Sequence, residues 1–244
     1  MATNQKKNNN AILLCGHGSR SANHSINLKK IKNKIEKKVN IQTFFCFLEV
    51  NKPSLEECLS KYSCVYSKIY IFPFFIFEGN HFKQDITKLI KKYNKFNNLI
   101  LVEKLSLLDE ILPVTKEILK KKIKKKEDTV LVTSSSFSKD KSVSLSMEKY
   151  TNALSKQLKL SKSFFHYVGN EDEVIKKLKI IKNNNLSILL HPVFLFHGFL
   201  FSKNERSFCV NFHNKVSVTN SLMDENKILE IVIKKLINTV LSAN

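Results

Sequence analysis

ILLCGHGSR (residues 12–20) and VLVTSSSFS (residues 130–138) open two halves of one chain that run in the same order. Each begins with a short apolar run suited to a buried strand. IYIFPFFIFEGN (69–80) returns as ILLHPVFLFHGF (188–199), with Pro73 matching Pro192 and Gly79 matching Gly198. FFCFLEV (44–50) has a counterpart in FFHYVGN (164–170), and LSLLDE (105–110) in NSLMDE (220–225). The order is shared and the offsets stay between 115 and 120 residues. Such spacing implies a tandem duplication.

Apolar strand segments alternate with amphipathic helical ones in both halves. The first half predicts strands near 11–16, 41–48, 68–75 and 98–103, and helices near 21–38, 53–64, 82–93 and 108–124. Strands near 129–134, 163–168, 186–192 and 215–219 follow, with a last helix near 224–242. In PSLEECL (53–59), Pro53 takes a helix-start position with acids in the first turn. Strand–helix alternation requires parallel sheets with right-handed crossovers. The expected fold is therefore α/β: two tandem-duplicated lobes, each a four-stranded, mainly parallel sheet flanked by helices. The polar residues 1–10 read as a disordered tail, 11–124 as the first lobe, and 125–244 as the second, joined by the charged ILKKKIKKKEDT (118–129).

The chain has 244 residues, enough for a large core or two smaller ones, and its 43% hydrophobic content is that of a globular protein. IYIFPFFIF (69–77) is too short to span a bilayer and contains Pro73, so no membrane association is expected. No signal peptide is read at the start, and five cysteines without a CxxC pair suit reduced thiols, which together place the protein in the cytoplasm. The net charge of +20 invites a nucleic-acid partner, but of 41 basic residues only Arg20 and Arg206 are arginine. Base readout and bidentate phosphate grips favour arginine, so nucleic acid is not expected. An anionic small molecule suits the diffuse basic charge better.

Two of only five glycines, Gly16 and Gly18, flank His17. Glycine is kept where the chain turns sharply or approaches something closely. His17 thus belongs to the turn leaving a strand and entering a helix, the edge at which open α/β sheets bind ligands. His81 follows Gly79 after the third strand and leads a helix. With a sheet order of 2-1-3-4, strands one and three are neighbours, and the switch point lies between their carboxyl ends. Glu49 closes strand two on the same edge. Two imidazoles and a carboxylate would then meet in one cleft. Neutral imidazole accepts a proton or holds a first-row metal such as cobalt or iron.

The GHGSR turn, the FLEV…PSL segment and PFFIFEGNHFKQDI (73–86) together resemble the sirohydrochlorin chelatases, the CbiX-type class II tetrapyrrole metal chelatases, in their long two-lobe form. The resemblance implies insertion of cobalt(II) or iron(II) into sirohydrochlorin without nucleotide or permanently bound cofactor, by two histidines that map onto His17 and His81. Cobalt insertion in cobalamin biosynthesis is the favoured reading; iron insertion for sirohaem, or a non-catalytic tetrapyrrole or metal carrier, are its alternatives. Glu49 would orient an imidazole, take up protons or share the metal. Arg20 and Lys83 stand nearest the two turns and would grip acetate or propionate arms, while Phe82 would touch the macrocycle. Phe72, Phe74, Phe75 and Phe77 are mostly sheet core on the ordinary reading.

The second copy lacks the histidine pair. Ser135 stands for His17 at an offset of 118, and Leu200 stands for His81 at an offset of 119. His197 aligns with Glu78, and His166, His191, His197 and His213 read as ordinary partly buried histidines. The second lobe is therefore a degenerate copy that shapes the cleft, and one chain imitating a dimer of single lobes predicts a monomer with pseudo-twofold symmetry. Histidine phosphatases share a superficially similar turn, but they surround the phosphohistidine with arginines that this chain lacks.

Overall fold

The computed structural model describes residues 9–19, 22–77, 80–102, 107–181 and 185–242. The side chains of 22, 23, 80–83, 107 and 241 lie outside that description. Most of the expected disordered tail lies outside the described residues as well. Asn9 and Asn10 do not: Asn9 donates from its side chain to the Val65 carbonyl at 3.1 Å, and Asn10 opens the first strand.

Among the described residues, eight strands alternate with eight α-helices. The first half runs β1 (Asn10–Gly16), α1 (Ala22–Val39), β2 (Gln42–Phe47), α2 (Leu55–Tyr62), β3 (Lys68–Phe74), α3 (Asn80–Tyr93), β4 (Leu99–Leu101) and α4 (Leu107–Lys120). The second runs β5 (Thr129–Ser135), α5 (Lys141–Leu158), β6 (Lys162–Tyr167), α6 (Asp172–Ile180), β7 (Ser187–Pro192), α7 (Phe199–Phe212), β8 (Val216–Val218) and α8 (Asn226–Ser242). The strands form two four-stranded parallel sheets, ordered β2-β1-β3-β4 and β6-β5-β7-β8. Both match the expected α/β fold; the first has the 2-1-3-4 order supposed for it, and the second repeats that order.

β1 and β5, each second in its sheet, are buried along all seven residues. That explains why they read as unbroken apolar or small-residue runs rather than alternating ones. Around the first sheet, Leu13, Ile69, Ile71, Leu55, Leu59 and Ile86 form one core; Val130, Val132, Ile188, Leu190, Leu178 and Phe208 form its counterpart. Phe72 and Phe74 are buried, whereas Phe75 and Phe77 are half-buried. Cys15, Cys46 and Cys58 are free, buried thiols in the first core.

One local reading is corrected. Pro53 is not the first residue of α2; it precedes the N-cap. Ser54 caps the helix by accepting from the Glu57 amide at 3.1 Å, while the Glu57 carboxylate accepts from the Ser54 amide at 2.7 Å. This reciprocal box satisfies two donors that a new helix leaves open. By packing, the chain forms two compact units, one of 1–105 with 233–244 and the other of 106–232. α4 counts with the second unit because it packs on α5, where the Tyr150 hydroxyl donates to Thr115 at 3.1 Å. A helical stripe marks the face that a helix buries but not its partner.

The pairing registers make the repeat exact to the residue. Gly16 pairs with Phe47 and Phe74, and the Leu48 amide donates to the Gly16 carbonyl at 3.0 Å. In the second lobe Ser134 pairs with Pro192, Ser135 pairs with Tyr167, and the Val168 amide donates to the Ser135 carbonyl at 2.9 Å. Because Cys15 pairs with Pro73, the equivalent of Cys15 is Ser134. The position equivalent to His17 is therefore Ser136, one residue beyond the sequence assignment.

Candidate active site

The carboxyl ends of β1, β2 and β3 are level, since Gly16 faces both Phe47 and Phe74. His17 is the next residue, and its side chain is exposed at that edge. Beyond the strand, the ladder to the β2 side continues: the Glu49 amide donates to the His17 carbonyl at 3.0 Å. The Ser19 amide donates to Asn51 Oδ1 at 2.6 Å. Three bonds, counting Leu48 to Gly16, thus lash the His17 turn to the loop that carries Glu49.

Both glycines of the turn have a physical reason. Gly18 has φ +106°, and a Cβ there would lie 1.9 Å from the Glu49 carbonyl oxygen. No L side chain fits. Gly16 is needed for close approach instead: a Cβ would sit 3.2 Å from Leu28, 3.3 Å from His24 Nε2 and 3.4 Å from Phe47. The two loops can be this intimate only because these positions lack side chains.

The His17 ring meets Phe75, the residue after β3, edge-on with centroids 6.4 Å apart. Phe75 thereby connects the turn of β1 to the segment leaving β3. His24, in the first turns of α1, lies behind the same turn with its ring 5.9 Å from that of Phe47. Burial, and then the neighbouring His17, hold the His24 imidazole below the usual histidine range, so it stays neutral near pH 7. Sequence reading passed over His24 and Asn51, and gave Phe75 to the sheet core rather than to this turn. His24 follows His17 by seven residues, and only the return of α1 against β1 brings them together. Asn51 carried the weak signal of an Asn just before Lys52-Pro53, where loop-organising side chains gather.

Of the remaining predicted residues, Glu49 is exposed on the loop after β2. His81, Phe82 and Lys83 occupy the first turn of α3, which begins six residues after the end of β3. Their side chains, and Arg20 entirely, lie outside the described residues. Among the described residues no group of three or more His, Cys, Asp and Glu is arranged to hold a metal. The described part of the edge supplies one solvent-facing imidazole and one solvent-facing carboxylate, on loops bonded backbone to backbone. Such groups can accept protons and hold a divalent ion loosely enough to release it.

The second lobe's histidines have other surroundings. His191 is buried on β7, 3.2 Å from the Tyr150 hydroxyl and 2.8 Å from Thr219 Oγ1. Burial lowers its pKa to about 4. His166 is buried too, with Nδ1 3.0 Å from the Tyr167 carbonyl. His197 and His213 are exposed rather than partly buried, and the His197 ring packs 4.5 Å from that of Phe201.

A family model, CbiX, matches residues 11–124, the span that contains this edge. Over residues 11–124 the chain is similar to the CbiX family. No curated protein matches the chain in sequence. Solved structures share the fold of both the CbiX region and the second half of the chain. SirB from Bacillus subtilis with Fe3+ is 18% identical, with a TM-score of 0.77, covering 94% of this chain and 95% of its own. SirB from Bacillus subtilis subspecies spizizenii in complex with cobalt, a sirohydrochlorin chelatase, is 18% identical, with a TM-score of 0.74 and 94% of each chain covered. A CbiX described as the terminal enzyme of sirohaem biosynthesis in denitrifying bacteria is 9% identical, with a TM-score of 0.67, covering 96% of this chain and 99% of its own. The CbiX edge and the two-lobe chelatase fold therefore occur in one chain. Among the described residues no helix is long and apolar enough to cross a membrane.

Proposed function

We propose that this protein inserts a divalent metal, with cobalt favoured, into sirohydrochlorin without nucleotide, as a step of cobalamin biosynthesis. The observation that carries the reading is the exposed His17 imidazole, on a turn fixed by Gly18 and bonded to the Glu49 loop, in a segment similar to the CbiX family. Metal and tetrapyrrole are both substrates, and no resident cofactor is required. Metallation has to remove pyrrole N–H protons and strip part of the ion's water shell. His17 and His81 divide those tasks, one holding the ion and the other taking a proton. Glu49 receives protons or steadies an imidazole. Arg20 and Lys83 hold carboxylate arms, and Phe82 lies against the ring.

Iron insertion for sirohaem is the second reading, because imidazole and carboxylate accept either ion and the matched SirB structures hold iron in one case and cobalt in the other. A carrier that binds both partners without turnover is the third. The second lobe, with Ser136 and Leu200 where the first has His17 and His81, carries no metal chemistry. The protein acts as a monomer in the cytoplasm, where its free cysteines remain reduced. The test is the absorption change of sirohydrochlorin with cobalt(II) or iron(II) on adding protein, with no nucleotide present. Acceleration over the uncatalysed mixture is expected. Its absence with both metals, in folded protein, would reject the enzyme in favour of the carrier.

A further inference from the structure

The second lobe has lost its metal-suited groups, and an ammonium stands at one edge of its sheet. The registers that equate Gly16 with Ser135 also equate Leu48 with Val168, and hence Glu49 with Gly169. Gly169 has φ +100°, and the Lys203 ammonium lies 3.8 Å from where its Cβ would stand. An ammonium therefore occupies the edge at which the first lobe carries a carboxylate. His17 has become Ser136 and His81 has become Leu200. The exposed imidazole and carboxylate of the first edge are replaced here by a serine, a leucine and an ammonium, with the buried Glu171 carboxylate held on the Gly169 amide.

The same ammonium lines a groove of about 560 Å³ along α7. That is within the range of small-molecule sites. Arg206, on the next turn of α7, lines it as well. Both side chains are exposed, and among the described residues neither is ion-paired. In a chain with 41 basic residues and two arginines, an arginine here supplies the planar fork that grips a carboxylate with two bonds. Ser202 and Asn211 add neutral polar groups. The lining's only carboxylate, Glu171, is buried and accepts from the Gly169 amide at 2.6 Å. Phe199, 77% exposed, offers an uncovered aromatic face at the same groove.

We propose that this groove is a second binding site, for an aromatic polycarboxylate: carboxylates on Lys203 and Arg206, ring against Phe199. That the natural ligand is a tetrapyrrole rests on the function proposed above; the site's chemistry does not. The probe is uroporphyrin, an aromatic macrocycle with peripheral carboxylates, titrated by fluorescence in metal-free buffer. The protein is the full chain carrying Arg20→Gln, Phe82→Ala and Lys83→Gln, which removes the tetrapyrrole contacts proposed for the first lobe. Adding Lys203→Gln with Arg206→Gln is expected to weaken binding about tenfold or more at low salt. Lys149→Gln with Lys156→Gln, an equal loss of exposed charge on α5, should change it less than about twofold. Phe199→Ala should weaken binding at low and high salt alike, whereas the Lys203 and Arg206 effect should fade with salt. Equal affinities for the groove variant and the α5 control would overturn the inference. If the groove variant loses binding while the unmodified chain inserts no metal, the site stands and the chelatase reading falls. If metal is inserted but the groove variant binds like its control, the reverse holds.

Discussion

Gly18→Ala should damage the molecule at one point, and the size of the damage can be worked out. An alanine at φ +106° is in a left-handed region that costs L residues roughly 1–2 kcal/mol. Its Cβ would start 1.9 Å from the Glu49 carbonyl oxygen, so the loops must separate by about 1 Å to reach even 3.0 Å. That movement stretches the Glu49–His17 backbone bond and the Ser19–Asn51 bond, each worth about 1 kcal/mol. The sum is about 3–4 kcal/mol for a rigid loop. Because the edge is exposed and water can take over those bonds, a loss near 2 kcal/mol is expected in urea unfolding. A displacement of this size in a positioning loop should slow metal insertion by about a hundredfold. Gly198→Ala is the control: its backbone is extended, at φ −160°, and nothing lies within 4 Å of the added methyl. That variant should stay within about 0.5 kcal/mol of the parent. If Gly18→Ala is as stable and as active as Gly198→Ala, Gly18 does not dock the His17 turn onto the Glu49 loop.

Other perturbations read separate parts of the fold. His191, with its pKa lowered to about 4 by burial against about 6.5 unfolded, leaves the unfolded chain binding more protons in that interval. Stability should be flat in this term above pH 6.5 and should fall by about 3 kcal/mol as pH drops to 4; urea midpoints for the parent and His191→Gln should converge toward pH 4, and parallel profiles would contradict it. Ser54→Ala opens the reciprocal cap of α2 and should cost about 1 kcal/mol, read as a lower urea midpoint at unchanged slope. Light scattering on a sizing column should give one 28.2 kDa chain, and a dimer mass would reject the proposed monomer.

The eight strands and the helices α1 to α4 and α8 were legible because two periodicities are clean in this sequence, whereas α5, α6 and α7 were given no bounds. β1 and β5 read as strands because each is buried along its length, and helices such as α1 and α3 declare themselves by their length and apolar stripe. Three kinds of information were not local. The equivalence of His17 with Ser136 depends on strand pairing, because TSSS can slide by one residue against CGHG without penalty in the sequence. The placement of α4 depends on Tyr150 and Thr115, which meet only in three dimensions. His24 and Phe75 reach the candidate site through backbone paths that leave no pattern along the chain, and Asn51 left only its place before Lys52-Pro53. At the candidate site, the glycine–histidine–glycine signal marked the turn at the carboxyl end of β1, where only a glycine tolerates the Gly18 position. His81 is marked by its place in the first turn of α3.

The most direct test is the initial rate of sirohydrochlorin metallation by the parent, His17→Ala, His81→Ala and His197→Ala proteins, followed by absorption with cobalt(II) and then iron(II). His17 is exposed on a turn, so its truncation opens no core cavity and should leave the urea midpoint nearly unchanged. His17→Ala and His81→Ala should each lower the rate by roughly 10²–10⁴-fold, while His197→Ala retains most of it. Parent-like rates in both first-lobe variants, or a His197→Ala loss as large as that of His81→Ala, would contradict the assignment of the chemistry to the first lobe.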